Sequence, residues 1–207
     1  IAVLCLSASC GSDNENPFGK AKWTGTSEKV LYSDFLPQFI ISADMSFEDE
    51  TSRASLLFGG NDPRLMDAYL NIMGVANGKD ESFVRVELDR QNRLINVYRT
   101  GYTKADKPGK VFQSLQVADS LLIGDTHSLN VIVVYSELRI SLDDAYIGQV
   151  NVGPLGHGGD YIAYPQLSDV GWLIEKGQTA QVSNLEVREV NKPNGLLYRN
   201  EGMTEMA

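Results

Sequence analysis

Cysteine is almost missing from this sequence: of 207 residues, only Cys5 and Cys10 are cysteine. Both stand in the first ten, so the body of the chain has no disulfide framework and no thiolate metal site. Histidine is as scarce. His127 and His157 are the only two, and neither has a second Cys or His at zinc-ligand spacing, so no transition-metal cofactor is expected. Positive charge is short as well, with 18 Lys and Arg against 27 Asp and Glu and a formal net charge of -9. No basic cluster forms the footprint of a nucleic-acid binder, and no nucleic-acid partner is expected. Apolar runs are too short to span a bilayer, which takes roughly 20 residues as a helix. No repeat of solenoid or propeller length occurs.

What the chain does have is alternation. From His127 to Val152, apolar residues recur at Leu129, Val131, Val133 and Tyr135, then at Leu138, Ile140 and Leu142, then at Val150 and Val152. A period of two puts each set on one face of a strand. The breaks, Ser136-Glu137 and Asp143-Asp144-Ala145, have hairpin length. The stretch is therefore read as a three-stranded antiparallel meander with one apolar face, which must be buried against another layer.

The rest of the chain supplies that layer. Strands are expected at Lys29–Tyr32, Phe39–Phe47, Arg53–Phe58, Ser82–Asp89, Leu94–Tyr98, Val111–Val117, Val170–Ile174 and Thr179–Val187. Asp62-Pro63 reads as a helix start, with Asp as N-cap and Pro at the first helical position. Gly153–Asp160 is glycine-rich but lacks the Lys-Ser/Thr of a phosphate loop, and is read as a turn. Strands at this spacing are expected of all-β, antiparallel β-sandwiches and jelly rolls.

Ile1 to Leu6 is a short apolar run followed by Ser7-Ala8-Ser9 and Cys10. The first residue is Ile rather than Met, so the run is read as the back half of a signal peptide. Small residues before a cysteine resemble a bacterial lipoprotein cleavage site with Cys10 as the lipidated residue, although Ser7 stands where Leu is usual. The acidic Gly11–Glu15 that follows resembles the tether of surface lipoproteins in Bacteroidetes-type bacteria. This implies an exported protein at the outer membrane or cell surface, touching the membrane through its lipid anchor only. The expected boundaries are 1–10 for the signal, 11–22 for a polar linker, 23–190 for the sandwich and 191–207 for a tail or a linker to a further domain.

The order of features in the C-terminal half resembles the concanavalin A-like lectin/glucanase jelly roll. These features are the His127 strand, Leu138–Leu142 with its Asp turn, the glycine-rich loop, Val170-Gly-Trp172 and Ala180–Arg188. More narrowly, Ser55–Asp67, Val86–Asp89, Val97–Tyr102 and Pro154–Asp160 resemble the N-terminal module of Bacteroides-type α-L-rhamnosidase proteins. The resemblance implies a non-catalytic sandwich that binds glycan or spaces a catalytic α/α barrel lying beyond this stretch. Two alternatives stay open: a small glycosidase, and a free-standing glycan-binding lipoprotein.

The glycosidase alternative rests on Glu87 and Asp89, which alternate on one strand. A retaining pair needs carboxyl groups about 5–5.5 Å apart, but the laminarinase-type relatives use a third acid where this chain has Gln91 and Asn92. Surface carboxylates are the plainer reading of both. For sugar binding, rings matter, because the C–H face of a pyranose packs on them. Tyr102, Tyr164 and Trp172 are the candidate platforms, with Tyr98 and Tyr161 near strand ends. Arg64, Asp160 and Asn61 are candidate polar contacts. Trp172 alternates with Gly171 and Leu173, so core packing competes with its exposure. His127 is read as a cap to the sheet rather than a base. Asn61-Asp62 and Asp143-Asp144 offer oxygen ligands for Ca²⁺, without the spacing of a calcium loop.

Overall fold

β-Branched and aromatic residues at alternate positions fold here into antiparallel strands. The computed structural model describes residues 28–29, 36–60, 83–100, 109–153, 155–157, 160–162, 164–165, 169–175, 177–190 and 196–203. The strands are β1 (Glu28–Lys29), β2 (Gln38–Phe47), β3 (Arg53–Gly60), β4 (Phe83–Asp89), β5 (Leu94–Thr100), β6 (Val111–Gln116) and β7 (Thr126–Val134). They continue as β8 (Glu137–Leu142), β9 (Ala145–Asn151), β10 (Leu155–His157), β11 (Asp160–Ile162), β12 (Asp169–Leu173), β13 (Ala180–Glu189) and β14 (Leu196–Met203). One 3-10 turn, Asp119–Leu121, lies between β6 and β7.

One sheet runs β1-β12-β3-β4-β5-β6, the other runs β14-β13-β2-β7-β8-β9, and β10 pairs with β11 alone. The fold is an all-β, antiparallel jelly-roll β-sandwich. Its core lies between the two large sheets. From one side come Phe39, Ile41, Met45, Val131, Val133, Ile140 and Val187; from the other come Leu56, Phe58, Val84, Val86, Leu88, Ile95, Val97 and Trp172. Phe39 meets Phe58 edge to face, with centroids 5.7 Å apart, a favoured aromatic geometry.

The meander forms as its pattern requires, in register Val131↔Ile140 and Leu138↔Val150. Its second turn is tighter than the expected three residues. Only Asp143 and Asp144 are outside the ladder, at φ 49° and 63°, and Ala145 pairs with Leu142. Positive φ at both positions is what a type I′ hairpin turn demands, and Asp tolerates it better than most residues.

Period two fails in β13. Val182 and Leu185 both reach the core although three positions apart, because the register shifts between Ser183 and Leu185. Asn184 absorbs the extra residue at φ 53°, and its side chain donates to Asp44 Oδ2 at 2.7 Å. This is a bulge of the kind that bends a strand.

Strand pairing also runs past Val190. β14 pairs with β13 through Val187↔Tyr198 and Glu186↔Arg199, where a tail or linker is expected. Leu196-Leu-Tyr-Arg-Asn-Glu-Gly-Met203 has no alternation for a pattern reading to find. The glycine-rich loop contains the β10–β11 hairpin, in register His157↔Asp160. The helix expected from Asp62-Pro63 lies outside the described residues, as do the signal segment and linker.

Candidate functional site

The first sheet has a second face, away from the core, and its central strands make it polar. Val84, Val86 and Leu88 of β4 point into the core, so Arg85, Glu87 and Asp89 point out. On β5, Ile95 and Val97 point in, and Asn96 and Tyr98 point out. Ladder pairing then lines up Leu173, Ser55, Glu87, Asn96 and Ser114 as direct neighbours across five strands. The parallel row is Gly171, Leu57, Arg85 and Tyr98.

Glu87 is the centre of this face. Its Oε1 accepts from Tyr98 OH at 2.8 Å and from Asn96 Nδ2 at 3.2 Å. Arg85 Nη2 stands 3.5 Å from Oε2. Asn96 Oδ1 in turn accepts from Ser114 Oγ at 2.6 Å. The Arg85 guanidinium lies over the Tyr98 ring, 3.7 Å from its centroid, and its Nη1 donates to Glu175 Oε1 at 3.0 Å. Burial, and then the charge of Glu87, push the Tyr98 phenol up to about 12, so it stays protonated and donates.

Surface carboxylates are not what the structure contains. Glu87 and Asp89 are buried, and each is consumed by donors. Asp89 takes the Asn92 N–H at 3.0 Å on one oxygen and Asn92 Nδ2 at 2.9 Å on the other, with Arg53 Nε 3.2 Å away. It closes the β4–β5 turn, where Arg93 sits at φ 57°. Asn92, at a position where catalytic relatives are expected to carry an acid, is the partner that occupies Asp89.

Of the candidate sugar platforms, Trp172 is corrected. It is 2% exposed and packs between the sheets, following the alternation with Gly171 and Leu173. Tyr164 meets Tyr135 edge to face at 5.2 Å. Tyr135 occupies the β7–β8 turn at φ 54° and is 46% exposed. Asp160 and Tyr161 lie in β11. Tyr102, Arg64, Asn61-Asp62 and Cys10 lie outside the described residues. His127 is buried, with Nδ1 2.8 Å from Asp143 Oδ2, and Asp143 Oδ1 accepts the Ser128 N–H. Both Asp143 oxygens therefore serve the sheet. Among the described residues, no group of three or more His, Cys, Asp or Glu is placed to hold a metal.

Pattern reading missed Arg85, Asn96, Ser114 and Glu175. A signal was present for the first two. Polar residues alternating on two adjacent strands, Arg85-x-Glu87-x-Asp89 and Asn96-x-Tyr98, mark a polar sheet face rather than two isolated acids. A separate cavity of about 410 Å³ is lined by Glu50, Arg90, Gln91, Arg93, Asp119 and Leu122 at the β4–β5 turn. Its Arg93 is engaged with Asp119 at 2.9 Å and its Arg90 with Gly124 O at 2.6 Å.

No protein-family model and no curated protein sequence matches this chain. Solved structures do. A Bacillus subtilis protein of unknown function with a galectin-like fold is 13% identical, covering 81% of this chain and 76% of its own, at a TM-score of 0.50. The carbohydrate binding module CBM66 from Bacillus subtilis is 14% identical over 81% of this chain and 91% of its own, at 0.46. Sheep galectin-11, solved with glycerol, is 9% identical over 81% and 99%, at 0.44. At the first of these scores the likeness is one of fold, and the chain shares the galectin-like jelly-roll sandwich.

Proposed function

We propose that this chain is a glycan-binding β-sandwich without catalysis of its own. The observation that carries the reading is the outer face of the first sheet, where Ser55, Glu87, Asn96 and Ser114 form a row beside the stacked Arg85 and Tyr98. A sheet face that only had to be covered is made most cheaply from apolar side chains, because each buried polar group must be matched. Here donors, acceptors and a ring are combined instead; Ser55, Arg85, Glu87, Asn96 and Tyr98 are buried, so a sugar meets the network at its exposed end through hydroxyl hydrogen bonds. The network reaches solvent at Ser114 and Glu175, both exposed. Asp89 is committed to the Asn92 turn, which leaves Glu87 without the free second carboxylate of a retaining pair.

In the larger setting, the module is an accessory or spacer of a surface glycoside hydrolase of the α-L-rhamnosidase kind. Cys10 carries the lipid, and the catalytic domain lies in further polypeptide. The resemblance of Ser55–Asp67 and Pro154–Asp160 supports this setting, and the Ser7-Ala8-Ser9-Cys10 segment supports the anchor.

The test is affinity electrophoresis of the chain through gels containing soluble polysaccharides, beside Glu87→Gln, with hydrolysis assays on aryl rhamnosides and mixed β-glucans. Retardation that weakens in Glu87→Gln, without turnover, is expected. Turnover by the wild type that vanishes in Glu87→Gln would overturn the reading in favour of a glycosidase.

A further inference from the structure

The two carboxylates that hold Arg85 differ in kind. Glu87 is 3% exposed and fixed by Tyr98 and Asn96 on the same face. Glu175 is 52% exposed and belongs to the connection between β12 and β13, where its carbonyl closes a turn with Gln178 N–H. Arg85 itself is 6% exposed, its guanidinium lies over the Tyr98 ring, and its Nε is buried without a hydrogen-bond partner among the described residues. Glu87 already supplies one negative charge for this one positive charge. Glu175 adds a second from outside, so neutrality does not require it.

We propose that Glu175 occupies the seat of a ligand carboxylate, and that the glycan taken by this face is acidic, a uronic acid-bearing polysaccharide. The inference rests on the glycan-binding reading above. A guanidinium over an aromatic ring with one nitrogen turned to an exposed acid is arranged for charge-assisted recognition of a carboxylate. Exchanging Glu175 for a sugar carboxylate keeps the charge-assisted Nη1 hydrogen bond. A hydroxyl in its place accepts only an uncharged bond, roughly half as strong. Among the described residues, Arg53 and Asp89 on this face pair with each other at 3.2 Å and leave this count unchanged. The net charge of -9 repels polyanions at long range, but at 0.15 M salt that repulsion is screened beyond roughly 8 Å.

Isothermal titration at that salt concentration tests the inference. The probes are oligosaccharides of polygalacturonate, alginate and hyaluronan, each beside its carboxyl-reduced neutral counterpart. Glu175→Ala removes the competitor and is expected to bind an acidic probe about tenfold more tightly than wild type, the scale of one charged hydrogen bond. Reduced probes are expected to gain less from Glu175→Ala than acidic ones, and Arg85→Gln is expected to abolish the acidic preference. Thermal melts confirm that each variant is folded. If Glu175 merely pins its loop, the variant loses stability and gains no affinity, and the inference falls. Binding of reduced probes with no preference for acidic ones would overturn the acidic ligand and leave the glycan reading standing. No binding of any probe by wild type or Glu175→Ala would remove both.

Discussion

His127 Nδ1 lies 2.8 Å from Asp143 Oδ2, which ties the first strand of the central meander to the turn joining its second and third. The other Asp143 oxygen accepts the Ser128 N–H at 2.7 Å, and the Asp143 N–H donates to Ser128 O. A side chain in the turn thus continues the ladder where backbone pairing ends. With Nδ1–H given to the carboxylate, a nearly fully buried imidazole is satisfied on one side, which is why His127 acts as part of the sheet.

Removing that carboxylate should be costly. Asp143→Ala leaves His127 and Ser128 without acceptors and puts a less tolerant residue at φ 49°. We expect a loss of about 2–3 kcal/mol in urea unfolding. Asp143→Asn keeps one acceptor and the turn conformation and should cost about half as much. Equal midpoints for wild type and Asp143→Ala would show that the pair is ornamental.

Val133 and Ile140 are fully buried, while Arg139 on the same strand as Ile140 is exposed. Truncating either apolar residue to Ala should cost about 2–4 kcal/mol through lost transfer energy and the cavity left behind. Arg139→Ala should stay within about 0.5 kcal/mol, because its partner Glu137 is a surface ion pair. Comparable losses at all three sites would contradict the inward and outward assignment.

Tyr98 makes a prediction at high pH. Its phenol titrates at about 12 in the fold against about 10 in an unfolded chain. Between those values the folded state holds the proton that the unfolded state has released. Stability is therefore fully present below about pH 10 and falls as pH rises towards 12, by about 2 kcal/mol at the limit. Tyr98→Phe lacks the titration and should fall less steeply over that window, as read by denaturant midpoints. Parallel curves for the two proteins would exclude Tyr98 as the source.

The sandwich was legible in the sequence wherever one strand face is buried and the other wet. Leu129-x-Val131-x-Val133 announces its inward side because hydrophobic burial imposes the period. The same logic hides the outer face of β4. Once that face is also buried, as at Arg85 and Glu87, polar residues no longer mean solvent, and isolated acids look like surface. Trp172 shows the opposite failure. Aromatic chemistry suggests a sugar platform, yet its place between Gly171 and Leu173 already fixes the side it faces. Glu175 was out of reach because its role depends on where a loop returns, 90 residues after Arg85. β14 was missed because its residues carry no alternation, and only pairing with β13 defines it.

In the β2–β3 turn, Asp49 makes a prediction at low pH. Its Oδ1 accepts from the Thr51 N–H and hydroxyl, and its Oδ2 from Ser52 Oγ and Thr179 Oγ1. The Thr179 bond crosses from the β2–β3 turn to the start of β13. These donors favour the ionised form, Thr179 most, and hold the carboxyl well below the usual range. A depressed folded value means that the stabilisation is present above the unfolded value, near 3.9, and is lost as pH falls towards the folded one. Asp49→Asn should therefore melt below wild type at neutral pH, and the gap should narrow as pH drops through about 4 and below. Thr179→Val removes the leading donor and should show a smaller neutral-pH deficit of the same pH dependence. A gap between wild type and Asp49→Asn that is constant from pH 7 to pH 3 would show that packing, rather than the charge on Asp49, joins the two elements.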